Sequence, residues 1–157
     1  MLFYRDLISG DDLLSSALEI EETHNGIFYE VESQWLEKSR GEDEEEEGEP
    51  EKVVNIVSMF NLQELPPFDK RALGTYLKNY MYKLTSLVSD ERKMDLRAHA
   101  SDAANWLFSN LADLKFFAGE SMSLEDLDGS LVYAYHKDGA ANLTFIYFKD
   151  GLKEGRL

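Results

Sequence analysis

The side chains that could do covalent chemistry are few. The chain has no cysteine, which excludes disulfides, thiol catalysis and cysteine-ligated zinc or iron–sulfur centres. A serine nucleophile would need a histidine base, and the three histidines are His24, His99 and His136. No Gly-x-Ser-x-Gly turn accompanies them. We interpret them as surface or half-buried side chains and predict that the protein is not an enzyme.

Sequence motifs for binding a cofactor are also absent. The sequence has neither a dinucleotide-binding Gly-x-Gly-x-x-Gly nor a phosphate-binding Gly-x-x-x-x-Gly-Lys-Ser/Thr. The stretch from Asp126 to Gly129 invites comparison with a calcium loop. However, alignment on Gly129 places Leu124 at the first ligand position and Tyr135 where a bidentate glutamate is needed. The histidines lack zinc spacing, so we expect no obligatory cofactor.

One short segment carries much of the negative charge. The chain has 16 basic and 31 acidic residues, a net charge of −15, and residues 41–51 contribute eight acids and no base. Such a segment cannot attach to a core, so we predict a mobile loop within the domain. Its carboxylates could bind calcium weakly, and the alternative is a purely solubilising loop. The candidate ligands are Glu42, Asp43, Glu44, Glu45, Glu46 and Glu47.

A second segment carries the opposite charge. Residues 69–97 hold seven bases and four acids, a local balance of +3. Segregated charge attracts an acidic partner, such as the tails of tubulin in microtubules, whereas the total charge opposes nucleic acid. The alternative is an ordinary solvated helix surface. The candidate binding residues are Lys70, Arg71, Lys78, Lys83, Arg92, Lys93 and Arg97.

The predicted secondary structure changes along the chain from strands to helices and back to strands. Helical spacing of apolar residues predicts an antiparallel helical hairpin over 69–89 and 90–111, with Asp69 as an N-cap. Alternation, β-branched residues and turn pairs such as Asn25-Gly26 predict strands before and after it. The predicted strands are 2–4, 18–22, 26–32, 52–59, 114–118, 130–136 and 143–148.

This order predicts an α+β fold with a mainly antiparallel sheet. We expect a single domain over 1–157, divided into β-rich 1–40, the acidic loop 41–51, β structure over 52–66, the helical hairpin 69–111 and β structure over 114–150. The chain has no run of about 20 apolar residues, the length that a membrane span needs. With no signal-peptide pattern, we expect a cytoplasmic protein.

Five motifs in order resemble those of the translationally controlled tumour protein family. They are Tyr4-Arg5-Asp6-Leu7-Ile8-Ser9 with Asp11-Asp12, Leu62-Gln63-Glu64, Tyr76-Leu77-Lys78-Asn79-Tyr80-Met81, Phe116-Phe117-Ala118-Gly119-Glu120 and Phe148-Lys149-Asp150-Gly151-Leu152. The resemblance implies a β-tent or small twisted barrel with a projecting helical hairpin. That fold is similar to a zinc-binding Rab chaperone and to B-type methionine sulfoxide reductases, whose cysteines this chain lacks.

The resemblance also implies functions. The family is described as calcium-binding, microtubule-associated, growth-promoting, anti-apoptotic and cytoplasmic, and as released from cells, here without a signal peptide. It therefore implies a non-enzymatic interaction protein. The matched positions of the family's GTPase-facing acids are Asp12 and Glu120, with Asp at position 12 where well-known members carry Glu. Two alternatives remain open, a guanine-nucleotide exchange regulator of a Rheb-like GTPase and an acidic holdase-like chaperone.

Overall fold

The computed structural model describes residues 1–38 and 51–156, which contain short strands before and after a pair of long helices. The helices are α1 (Asn55–Phe60), α2 (Lys70–Leu87) and α3 (Asp90–Ser109). The strands are β1 (Leu2–Asp6), β2 (Asp12–Ser15), β3 (Glu21–Thr23), β4 (Phe28–Glu32), β5 (Trp35–Glu37), β6 (Lys52–Val54), β7 (Gln63–Leu65), β8 (Lys115–Ala118), β9 (Val132–Tyr135), β10 (Thr144–Phe148) and β11 (Leu152–Arg156).

These strands form three antiparallel sheets. The largest has the order β3-β4-β10-β9-β8-β7, a second has the order β11-β1-β2, and β5 pairs with β6. The predicted α+β class and the antiparallel pairing are confirmed. The twisted barrel is wrong, because the sheets over the described residues are not closed into one. None of the described helices is long and apolar enough to cross a membrane.

The six-stranded sheet has an apolar core on each face. All five residues of β10 are buried, because successive side chains point to opposite faces and both faces are covered. Ile146 and Phe148 pack with the apolar residues of α2 and α3. Phe145 and Tyr147 pack with Leu13, Leu14 and Ile56 on the other side. The helical hairpin therefore forms one layer on this sheet.

The helical hairpin follows the predicted pattern closely. The Asp69 carboxylate accepts a hydrogen bond from the Ala72 N–H at 2.7 Å, which confirms the predicted N-cap of α2. Ser89 caps α3 through the Arg92 N–H. The side chains of α2 that face the sheet recur at helical spacing; they are Leu73, Tyr76, Leu77, Tyr80 and Leu84.

The predicted strand over 52–59 is wrong beyond its third residue. Only β6 is extended, and α1 begins at Asn55. The Asn55 side-chain oxygen accepts hydrogen bonds from the N–H groups of Ile56 and Gln34, which secures the turn into the helix. Asn61 then ends the helix in the left-handed region, with φ 51°. The β-branched residues Ile56 and Val57 lie in a short helix whose Ile56 and Phe60 are buried, so tertiary packing overrides their strand propensity.

Candidate functional site

A buried polar junction fastens α2 to the sheet. The Tyr76 hydroxyl donates to the Gly129 carbonyl at 2.7 Å and accepts from the Leu131 N–H at 2.8 Å. The Tyr80 hydroxyl shares a hydrogen bond with Ser130. Burial raises the pKa of both phenols, so they remain neutral donors. This junction attaches α2 to residues 129–131, which lead into β9.

The carboxylate of Asp6 completes the junction from β1. It is 1% exposed and accepts hydrogen bonds from the Ser130 N–H at 2.8 Å and the Ser9 hydroxyl at 2.6 Å. Gly129 lies against it so closely that a β-carbon there would overlap the carboxylate. The sequence motif that begins at Tyr4 therefore has a structural role, because its Asp6 holds the segment that receives α2.

A second fastening uses one of the predicted binding cations. The Arg92 guanidinium donates to both carboxylate oxygens of Asp150, at 2.7 and 2.9 Å, and to Asp95 at 2.6 Å. The Asp150 side chain is only 7% exposed. This carboxylate raises the pKa of Arg92. Arg92 is thus the internal partner of a buried charge, and the geometry assigns it to the fold rather than to a partner surface.

Two further cations of the predicted set have carboxylate partners at the surface. The Lys83 ammonium lies 2.8 Å from Asp128, and the Lys93 ammonium lies 3.5 Å from Asp90. The Lys83 contact lowers the pKa of Asp128. Exposed pairs of this kind contribute little to stability, so both cations can exchange their partner for another acid.

Three of the predicted cations converge on the outer side of the helical hairpin. Lys78 from α2 and Lys93 and Arg97 from α3 line one cavity of about 710 Å³, which we call the hairpin groove. Its wall includes the exposed aromatic side chain of Tyr82, which is 83% exposed. Lys70 and Arg71 stand in the first turn of α2 and do not line this groove. Its remaining lining residues are Asn79, Met81, Thr85 and Ser86.

The two acids matched to GTPase-facing positions also come together. Asp12 on β2 and Glu120 after β8 line one small pocket of about 190 Å³, which we call the acidic pocket. The Asp12 carboxylate accepts a hydrogen bond from Arg5 at 2.9 Å, on the exposed surface. The neighbouring Asp11 accepts from the Ser121 hydroxyl at 2.7 Å, which holds the two loops together. The sequence named Arg5 and Asp11 only as members of a family motif, since nothing in their spacing indicates that they pair with Asp12 and Ser121.

The calcium candidates cannot be placed in the same way. Glu42, Asp43, Glu44, Glu45, Glu46 and Glu47 lie outside the described residues. Among residues 1–38 and 51–156, no group of three or more His, Asp or Glu side chains is arranged to hold a metal ion. Weak calcium binding by residues 42–47 stays a prediction.

Together these features define an open antiparallel α+β protein with a basic helical hairpin fastened across its main sheet. The sequence profile of the translationally controlled tumour protein family matches residues 1–153, and the chain belongs to this family. The chain is similar to the translationally controlled tumor-associated protein p23fyp of Schizosaccharomyces pombe, with 28% identity, full coverage of both chains and a TM-score of 0.83. The solution structure of the Caenorhabditis elegans translationally controlled tumor protein shares the fold, with 21% identity, 100% and 99% coverage and a TM-score of 0.72.

Proposed function

We propose that the protein is a non-enzymatic interaction protein whose hairpin groove binds acidic protein segments, with the tails of tubulin in microtubules as the candidate partner. The observation that carries this proposal is the convergence of Lys78, Lys93 and Arg97 around exposed Tyr82. Cations attract carboxylates, and a tyrosine ring adds apolar contact area at low cost in side-chain entropy.

Local charge lets an acidic protein bind an acidic partner. The chain has a net charge of −15, which repels acidic segments at long range. Salt screens charges beyond roughly 8 Å at physiological ionic strength, so contact is governed by the cations of the groove. We therefore expect binding that weakens with added salt but persists at physiological ionic strength, because the Tyr82 contact is not ionic.

The test compares two triple charge reversals in a microtubule co-sedimentation assay. Lys78→Glu, Lys93→Glu and Arg97→Glu together should weaken binding about tenfold or more, because each replaces attraction with repulsion. The matched variant makes the same change of net charge at three exposed positions outside the hairpin groove, with Lys115→Glu, Lys137→Glu and Lys153→Glu. It should weaken microtubule binding much less. Equal loss in both variants would show that only net charge matters and would overturn the proposal.

A second candidate function is favoured by the acidic pocket. We propose that Asp12 and Glu120 face a small GTPase of the Rheb-like class, where an acid could compete for the nucleotide's magnesium ion or its phosphate-binding loop. Two acids from distant parts of the chain line the same pocket, which supports this assignment. Arg5 covers one oxygen of Asp12, so binding would have to release this exposed ion pair.

Nucleotide release separates binding from exchange activity. If the protein only binds, it should change stopped-flow release of a fluorescent nucleotide from a Rheb-like GTPase only at stoichiometric amounts. An exchange regulator would accelerate release in catalytic amounts, and Asp12→Ala would abolish that acceleration. The matched variant is Asp113→Ala, an exposed acid outside the acidic pocket. No change in release at any ratio, with no complex detected, would exclude the GTPase as a partner.

The remaining proposals follow from family membership and composition. They are weak calcium binding by residues 42–47, holdase activity, a cytoplasmic location with release from cells, and support of growth and survival. A calcium titration followed by chemical shifts tests the first, with shifts expected for residues 42–47. Suppression of aggregation for several unrelated client proteins tests the second, and protection of none of them would exclude it.

A further inference from the structure

A second groove runs along the neighbouring face of α2 and shares Asn79 with the hairpin groove. Its cavity of about 680 Å³ lies between α2 and residues 124–128, a volume typical of ligand sites. The helix side of the cavity presents Arg71, Thr75, Asn79 and Lys83. These residues are four apart, so they form one stripe along the helix. Twelve residues of helix extend about 18 Å, so the groove is elongated.

The wall opposite α2 is held in place by the sheet. The Gln63 side-chain amide on β7 donates to the carbonyls of Gly119, Glu120 and Met122, at 3.0, 3.2 and 2.8 Å. A backbone bridge joins Ser123 to Asp126. The Lys83–Asp128 ion pair then connects the two walls at one end. These contacts hold the segment that leads into the wall, and the exposed Lys83–Asp128 pair marks one end of the groove.

The chemistry of the groove changes along its length. The half-buried ring of Phe68 provides an apolar surface and is stacked on Phe116 at 4.6 Å. The middle of the stripe is neutral and polar, with exposed Thr75 and Asn79. An asparagine amide donates and accepts at once, which matches the N–H and C=O of a peptide unit. Charged residues of both signs are also present, with Arg71 on the helix and Glu125 and Asp126 opposite.

We propose that this groove, which we call the α2 groove, binds an extended peptide segment of about five residues. Extended chain rises about 3.3 Å per residue, so five residues match the length of the stripe. An apolar side chain contacts Phe68, a backbone amide pairs with Asn79, an acidic side chain faces Arg71 and a basic side chain faces Glu125 and Asp126. A compact metabolite would leave part of an 18 Å groove empty. This proposal does not depend on the hairpin groove.

The experiment uses two blocked peptides of equal composition, acetyl-Leu-Glu-Ser-Ser-Lys-amide and acetyl-Lys-Ser-Ser-Glu-Leu-amide, because Phe68 and Arg71 stand together at one end of the groove. Each is titrated into the isotope-labelled full-length protein while amide chemical shifts are followed. We expect saturable shifts at Thr75, Asn79 and Leu127 for at least one peptide, with a Kd below about 1 mM. The peptide that binds more tightly shows in which direction the bound chain runs along the groove.

Two variants and one control separate this site from general charge attraction. Asn79→Leu removes the amide and should weaken binding about fivefold, and Arg71→Glu should do the same by repelling the acidic side chain. Lys137→Glu makes the same change of charge at an exposed position outside both grooves and should leave peptide affinity unchanged. The proposal is overturned if neither peptide gives saturable shifts up to about 2 mM. It is also overturned if the shifts centre on Tyr82 and Arg97, or if Asn79→Leu leaves the affinity unchanged.

Discussion

The inner and outer sides of the helical hairpin carry similar cations in different surroundings. On the inner side, Arg92 neutralises the buried carboxylate of Asp150, so its charge is used within the fold. On the outer side, Lys78 and Arg97 line the hairpin groove beside exposed Tyr82. The comparison shows that a count of basic residues combines cations paired within the fold with cations that line an exposed groove. Only the position of the acidic partner separates the two groups.

The largest expected effect is on the inner side. Arg92→Met leaves Asp150 buried without its charged partner and should lower the free energy of unfolding by about 2 kcal/mol. The matched change Lys93→Met removes only an exposed contact and should cost about 0.5 kcal/mol or less. Urea unfolding followed by circular dichroism measures both. Equal losses would remove the distinction between the two cations.

Two buried tyrosines, one with hydrogen-bond partners and one without, allow a similar comparison without any change in charge. Tyr76→Phe removes the partner of two buried backbone groups and should cost about 1–2 kcal/mol of unfolding free energy. The Tyr133 hydroxyl is buried without a hydrogen-bond partner among the described residues. Tyr133→Phe should therefore be neutral or stabilise the protein by up to about 1 kcal/mol. A larger loss for Tyr133→Phe than for Tyr76→Phe would contradict the assigned hydrogen bonds.

The smallest expected effect concerns the exposed pair at the end of the α2 groove. Lys83 lowers the pKa of Asp128 below its ordinary value of 3.8. A carboxyl whose pKa is lowered by folding stabilises the protein above its ordinary pKa, and that contribution is lost as the pH falls through the folded value. Lys83→Met should return the Asp128 titration, followed by carboxyl chemical shifts, toward 3.8. An unchanged titration would show that the ion pair is absent in solution.

The parts of the fold that could be predicted are those set by local patterns. Helical spacing and the Asp69 cap identified the helical hairpin, and Asn25-Gly26 identified the turn between β3 and β4, where both residues have positive φ. The short strands β2, β5, β7 and β11 were not predicted individually. For β7 and β11 the reason is that their partners β8 and β1 are distant in sequence. A strand was assigned to 52–59 because β-branched residues suit either a strand or a buried helix.

Local sequence patterns also fail to predict how the site residues come together. The convergence of Lys78 and Arg97 depends on the packing of α2 against α3, which a helical pattern suggests but does not specify. The pairing of Arg92 with Asp150 spans 58 residues, so no local rule identifies it. Asp12 and Glu120 were selected by family resemblance and not by spacing, because only the packing of the sheets places them in one pocket.

We propose that the cations of the hairpin groove bind a partner, whereas Arg92 stabilises the fold, and a paired measurement separates the two roles. Microtubule binding and the urea midpoint are measured for the Lys78→Glu, Lys93→Glu, Arg97→Glu triple variant and for Arg92→Met, at a temperature where both remain folded. We expect the triple variant to lose binding at nearly unchanged stability, and Arg92→Met to lose stability while it retains binding. The reverse pattern, or loss of both properties in both variants, would contradict it.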